Sequence, residues 1–114
     1  MEHTMGLFEQ HLNTIKSGIK TIEVRLNDEK RRKIRVGYTI RFIQVPDEAE
    51  EIRAVVKGLK VFPTFREMYE NVSAEDMGAQ GGSVESMVEN TYEIYTPEQE
   101  SKYGTLAITI KYVV

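Results

Sequence analysis

The chain has 114 residues, 40% of them hydrophobic and 29% charged, with a formal net charge of −3. These values fit a single soluble domain over residues 1–114 with a modest core, and they exclude a disordered or fibrous chain. Zero cysteines exclude a disulfide framework and a thiolate metal site, and no apolar run approaches the ~20 residues that a membrane span needs.

The opening MEHTMGLFEQ has no basic stretch followed by a greasy one, so the expected setting is the cytoplasm, with no membrane partner. From Met5 to Ser17, apolar residues fall at Leu7, Phe8, Leu12 and Ile15, a stripe at helical period, and Gly18 suits the position just past a helix end. His11 lies inside that stripe, so it is expected to be packed or half-buried rather than to act as a ligand or base.

Lys20 to Leu26 alternates, with Ile22, Val24 and Leu26 on one side and Thr21, Glu23 and Arg25 on the other, the pattern of a half-buried strand. Asn27 or Asp28 suits the cap of a short helical turn through Glu29–Lys33, and Gly37 marks a turn. Tyr38–Val45 is expected to be a second strand, Pro46–Glu51 a loop, and Ile52–Val61 a longer strand bulged or bent at Gly58. Thr64-Phe65-Arg66-Glu67 has the spacing of a capping box and opens a short helix.

Ser73–Ser83 is polar and carries Gly78, Gly81 and Gly82, the composition of a flexible excursion. Val84, Met87, Val88, Thr91 and Tyr95 share one helical face, which predicts a helix through about Ile94. On its other side Glu85, Glu89 and Glu93 form an acidic face expected to be solvated. Thr96-Pro97-Glu98-Gln99 restarts a helix, with a capping box and proline at the first helical position; Gly104 ends it, and Leu106–Val113 is a final strand. Runs of strands set apart from runs of helices argue for an α+β fold, and a small barrel with helices packed around it would bury the apolar faces.

The net charge hides an asymmetry. Residues 1–60 carry 12 Lys/Arg against 9 Asp/Glu, whereas residues 61–114 carry 3 against 9. Within 16–41, nine basic residues face only Glu23, Asp28 and Glu29. The densest part, Lys30, Arg31, Arg32 and Lys33 with Arg35, suits phosphate contacts and equally suits a solvated turn.

The face Thr21, Glu23, Arg25 is the strongest local oddity. Pointing outward, the arrangement that spacing alone favours, it is a polar sheet surface. Pointing inward, its charges must be paired or must meet a ligand.

Gly18-Ile19-Lys20-Thr21-Ile22-Glu23-Val24-Arg25 resembles the GxKxxExR signature of ASCH domains, within the PUA-like superfamily. The runs RLNDEKRRKIRVGYTIRF and YTPEQESKYGTLAI resemble the family's continuation and its closing helix and strand, so the resemblance covers most of the chain. It implies a PUA-like small β-barrel flanked by helices, with Lys20, Glu23 and Arg25 lining a cleft, and RNA or a modified nucleoside as the ligand.

The family also includes a small amidohydrolase acting on N4-acetylcytidine and a member with ribonuclease activity. The amidohydrolase branch uses a lysine, a threonine and a glutamate. Lys20 matches the lysine, but Glu23 stands where that branch has its threonine. Thr21 is a nearby hydroxyl at a non-matching position, and Glu67 and Glu70 are candidates for the later glutamate. A second departure is Tyr38, where the family usually has Asp after the glycine of its turn.

For a binding module, the lysine ammonium and arginine fork engage phosphate or base-edge acceptors, with Lys30, Arg31, Arg32, Lys33 and Arg35 adding charge beside the cleft. For an enzyme, Lys20 would be a base, Glu23 a proton shuttle and Thr21 an accessory hydroxyl. For a scaffold, a buried Glu23–Arg25 pair merely fixes the barrel. Phe42 is expected in the core, while the Phe62-Pro63-Thr64-Phe65 corner is expected to rim the cleft. Two histidines with no neighbouring carboxylate cluster give no metal spacing, so neither a metal nor another cofactor is expected.

Overall fold

The computed structural model describes residues 1–79 and 81–114. Its elements run β1 (Glu2–Phe8), α1 (Glu9–Lys16), β2 (Ile22–Leu26), a 3-10 turn (Arg31–Lys33), β3 (Thr39–Val45), β4 (Glu51–Phe62), α2 (Phe65–Asn71), α3 (Val84–Thr91), α4 (Pro97–Tyr103) and β5 (Thr105–Val113). The five strands form one curled half-barrel sheet in the order β1-β3-β4-β5-β2, an α+β architecture. β1 runs parallel to β3, and every other pair is antiparallel.

The largest departure from the sequence reading is at the start. Residues 2–8 form a strand, not the front half of a helix, and the helix begins only at Glu9. The apparent stripe joined two elements: Leu12 and Ile15 bury from the helix, Leu7 buries from the strand beside Met5, and Phe8 at the junction is 63% exposed. Period-two burial of Met5 and Leu7 was present in the sequence, but it spans too few residues to compete with the longer helical pattern.

The sheet separates two apolar clusters. On its concave side Met5, Leu7, Leu12, Ile15, Phe42, Ile108 and their neighbours pack beneath α1. On the other side Leu26, Phe62, Phe65, Met68, Met87 and Val88 pack beneath the later helices. β5 serves both, with Leu106, Ile108 and Ile110 in the first cluster and Ala107 in the second. Phe42 is wholly buried, as expected of a core residue.

The expected bulge is present. Val56 pairs with Ile110 while Gly58 pairs with Thr109, so Lys57 is the extra residue. The bulge reverses the parity of everything after it. Ala54 and Val56 belong to the first cluster, and an unbroken strand would place Phe62 on the same face; the inserted residue sends Phe62 into the second.

The helix caps follow the sequence closely. The Thr64 hydroxyl accepts from the Glu67 N–H, and at Thr96 both halves of a capping box are made, with Pro97 at the first turn. Gly104, at φ +72°, ends α4. Only the first half of the box expected at Thr64 is made, whereas a second complete box, at Ser83 and Ser86, lacks the usual Glu or Gln and was not apparent from the sequence. The buried Glu100 carboxylate accepts from the Phe65 N–H at 2.7 Å and the Tyr92 hydroxyl at 2.7 Å, so α4 caps α2 across the second cluster.

Ser73–Ser83 departs from the expected flexible excursion. Its described residues form successive hydrogen-bonded turns, and Met77 is buried. The Asp76 carbonyl accepts from the N–H groups of Thr21 and Ile22 at 2.8 and 2.9 Å, tying the segment to the start of β2. α3 ends at Thr91 rather than about Ile94; the chain then turns so that Tyr95 stacks on Phe65, with ring centroids 5.6 Å apart.

Deletion of Lys57 is expected to turn Phe62 out of the second cluster and cost about 3–5 kcal/mol, as a Phe→Ala core truncation does. Lys57→Ala, which leaves the bulge in place, is expected to change stability by less than about 0.5 kcal/mol. Thermal or denaturant unfolding of the two variants checks this, and similar stabilities would refute the parity role of the bulge.

Candidate functional site

β2 carries apolar side chains on one face, where Ile22, Val24 and Leu26 meet the second cluster. The opposite face turns inward, not outward as spacing alone favoured. Glu23 pairs across the sheet with Ile108 and is 3% exposed. Burying a carboxylate demands compensation, and it is supplied in full. Oε1 accepts from Lys20 Nζ at 2.9 Å and from the Val24 N–H at 3.2 Å. Oε2 accepts from Arg25 Nε at 3.2 Å and Nη2 at 2.9 Å. Four donors fill the roughly four acceptor positions of a carboxylate.

The partners are themselves anchored. Lys20 is 6% exposed, its stem lies against Gly78, and Nζ also approaches His11 Nδ1 at 3.4 Å. A Cβ built on Gly78 would sit 3.2 Å from Lys20 Cδ, and φ there is +77°, so glycine permits both the turn and the approach. Arg25 Nη2 donates to the Gly6 carbonyl on β1 at 2.8 Å. β1 and β2 are the two edges of the sheet, so this bond bridges the opening of the half-barrel.

Charge states follow. Burial alone would raise the Glu23 pKa, but the Lys20 and Arg25 charges and hydrogen bonds outweigh it and hold the carboxyl below its ordinary value. Arg25 is held above its ordinary value; burial opposes this, but Glu23 and the Tyr95 hydroxyl prevail. Burial, reinforced by the Lys20 charge, lowers the His11 pKa, so this imidazole is neutral at pH 7.

Above these residues lies a cavity of about 500 Å³. Lys20, Glu23, Arg25 and His11, with Gln10, Asn90 and Thr91, contribute its polar side, while Phe8, Tyr69, Met77, Met87, Ile94 and Tyr95 supply aromatic and apolar walls. The Tyr69 hydroxyl is bonded to Thr91 Oγ1 at 2.6 Å, which fixes one wall. Among the described residues, no cluster of three or more His, Asp or Glu side chains is arranged to hold a metal ion.

The cavity therefore gathers Lys20, Glu23 and Arg25 from the motif. Thr21, Glu67 and Glu70 do not line it; Thr21 uses its backbone to hold Asp76 and Ile110, and the two glutamates are exposed. The Phe62–Phe65 corner does not rim it either, because both rings are buried in the second cluster. Lys30, Arg31, Arg32, Lys33 and Arg35 also lie outside its lining. Arg31 pairs with Asp28 at 2.8 Å, and Arg32 and Arg35 donate to backbone carbonyls of the same turn, while Lys30 and Lys33 are exposed. The run is near the site nonetheless. Lys30, Arg31 and Arg25 all act electrostatically on His3 of β1, adding to burial in lowering its pKa.

The missed lining residues, Phe8, His11, Tyr69, Met77 and Tyr95, come from four separate segments. Helical periodicity marked several as apolar-face residues, but it carries no sign that those faces meet at one hollow.

The family model for the ASCH domain matches residues 5–113. The hypothetical protein PH0355 has a structure similar over 99% of this chain and 100% of its own, at 38% identity and a TM-score of 0.89. Protein PF0455 from Pyrococcus furiosus matches over 99% of this chain and 98% of its own, at 38% identity and a TM-score of 0.80. A mutant ZmASCH protein from Zymomonas mobilis, 14% identical with a TM-score of 0.65 over 96% of this chain and 68% of its own, shares the fold. No curated protein matches the chain.

Glu23→Gln keeps the shape but leaves the buried Lys20 and the half-buried Arg25 without their anion, and is expected to destabilise the chain by about 3–5 kcal/mol at neutral pH. Because the folded-state pKa of Glu23 is depressed, its contribution is complete above the ordinary value of 4.5 and is lost as pH falls through the folded value. The stability gap between wild type and variant should therefore close on acidification. Unfolding curves from neutral to acid pH measure it, and a gap independent of pH would exclude the ionised triad.

Proposed function

The chain belongs to the ASCH domain family, and on that footing we propose that it binds RNA, or a modified nucleoside within RNA, with the base seated in the cavity above Lys20, Glu23 and Arg25. We read the curled sheet as a PUA-like barrel. The observation that carries the proposal is a nucleoside-sized hollow of about 500 Å³ with aromatic walls and a cationic floor. Unpaired bases are held in this way, by stacking on aromatic faces and by hydrogen bonds to their edges.

The saturation of Glu23 favours recognition over hydrolysis. A carboxylate with all its acceptor positions occupied by Lys20, Val24 and Arg25 positions those cations and is poorly placed to shuttle protons. Thr21 lies outside the cavity lining. Lys20 and Arg25 keep unspent donors for a ligand, and the run Lys30, Arg31, Arg32, Lys33 and Arg35 supplies sequence-independent attraction for flanking phosphates.

The test is a titration of isotopically labelled protein with cytidine, N4-acetylcytidine and short single-stranded RNA, following protein shifts and ligand integrity together. A binding module gives shifts at Lys20, Glu23, Arg25 and the cavity walls with the ligand intact. Release of acetate or shortening of the RNA makes it an enzyme, and silence with every ligand leaves the triad a structural device. For RNA, log affinity should fall linearly with log salt, by about 0.7 per phosphate neutralised. Replacing Lys30, Arg32, Lys33 and Arg35 by alanine should flatten that slope without changing nucleoside affinity; an unchanged slope removes the run from the interface.

A further inference from the structure

Two apolar side chains that line the cavity are left largely in water: Phe8, 63% exposed, and Ile94, 74% exposed. A single exposed apolar residue is ordinary on a protein surface, so exposure by itself assigns nothing. Phe8 is set apart by its place. On β1, Met5 and Leu7 are buried and the alternate positions face outward, where Glu2, Thr4 and Gly6 are polar or small. Phe8 continues that outward face with an aromatic ring, against the pattern of the strand. It is also the N-cap of α1 and makes no side-chain cap bond there, a position that Ser, Thr, Asp and Asn fill best. The ring thus serves neither the core nor the helix.

Its surroundings suit a planar, anionic neighbour. Gly6 is the preceding residue on the same face, so no side chain stands between Thr4 and Phe8 there. The Gly6 carbonyl accepts from Arg25 Nη2 at 2.8 Å, which brings a guanidinium of the cavity to β1 two residues before the ring. The aromatic residues of the lining also differ in depth: Tyr69 is buried, Tyr95 is half-buried and Phe8 is exposed. Of the two exposed apolar side chains, Ile94 offers no π-face, so Phe8 is the one on which a base can stack.

We infer that Phe8 stacks on the base next to the one seated in the cavity, so that the ligand is a single strand of at least two nucleotides rather than a free nucleoside. The inference rests on the reading of the cavity given above and adds a second base-binding position outside it. The phosphodiester joining the two nucleotides then passes beside Gly6, where Arg25 supplies the opposing charge. Stacking on an exposed ring is tolerant of sequence, because every base has a π-face. The second position therefore contributes affinity for a strand and leaves the choice of base to the cavity.

The experiment is a calorimetric binding series on the intact chain with the RNA trinucleotides AAA, CCC, GGG and UUU. Each is also made with its first or its last base removed and the sugar-phosphate retained, which separates stacking from charge. For the trinucleotide that binds most tightly, removing one of the flanking bases is expected to weaken binding to the wild type by at least about fivefold. In Phe8→Ala the same removal is expected to cost less than about twofold, whatever that variant does to the overall affinity. Phe8→Trp is expected to restore the full loss, because indole also stacks. A loss of equal size in wild type and Phe8→Ala, or no loss in the wild type, overturns the inference and leaves the seated base in place. Sedimentation that shows a wild-type dimer and a Phe8→Ala monomer also overturns it, by making the ring a contact between two copies. Failure of every trinucleotide and of the four parent nucleosides to bind overturns both readings.

Discussion

Glu23 is the constraint on which the site depends. It is a carboxylate at the concave face of a sheet, where apolar neighbours such as Leu106 and Ile108 offer nothing to solvate it. Such a group is tolerable only with all its acceptor positions filled, and the chain fills them from both sides with Lys20 and Arg25. Each cation then draws in another part of the molecule. Lys20 brings α1 through His11 and the 73–79 turns through Gly78, whereas Arg25 reaches across the open seam to Gly6 on β1. One buried charge thereby ties β1, α1 and β2 to one another and to the turns about fifty residues later in the chain.

The close approach at Gly6 illustrates how tightly the seam is built. A Cβ there would stand 2.9 Å from Val45 Cγ1, so a side chain on this residue would push β1 away from β3 or displace Val45. The carbonyl that Arg25 uses belongs to the same residue. Packing of the β1–β3 pair and closure of the half-barrel are thus coupled at a single backbone position. On the other face of β2, Ile22, Val24 and Leu26 hold the strand against the helices. The motif strand is consequently fixed from both sides, and its charged face is presented by a rigid element rather than by a loop.

Much of this was legible in the residues. The alternation of β2, the bulge at Gly58, the caps at Thr64 and Thr96 and the glycine stop at 104 are local rules, and local rules act wherever the chain goes. What was not legible depends on distant partners. Which way Glu23 faces is decided by its register with Ile108, not by its own neighbours in sequence. The first strand was hidden because residues on either side of Phe8 combine by chance into a helical stripe. The 73–83 segment looked like a loop from its glycines, yet Gly78 serves a close approach to Lys20 that composition alone does not reveal.

The arrangement also separates two kinds of positive charge. Lys20 is buried and Arg25 half-buried, both held by Glu23 and both lining the cavity, so their donors are directional and less screened by salt than surface charges. Lys30, Arg32, Lys33 and Arg35 are exposed on a tight turn, with Arg32 and Arg35 fixed to backbone carbonyls, so their field is broad and readily screened. On the proposed function the pair held by Glu23 discriminates and the exposed run attracts. On that reading seven of the nine basic residues between positions 16 and 41 serve the site, whereas Lys16 and Arg41 pair with Glu50 and Glu51.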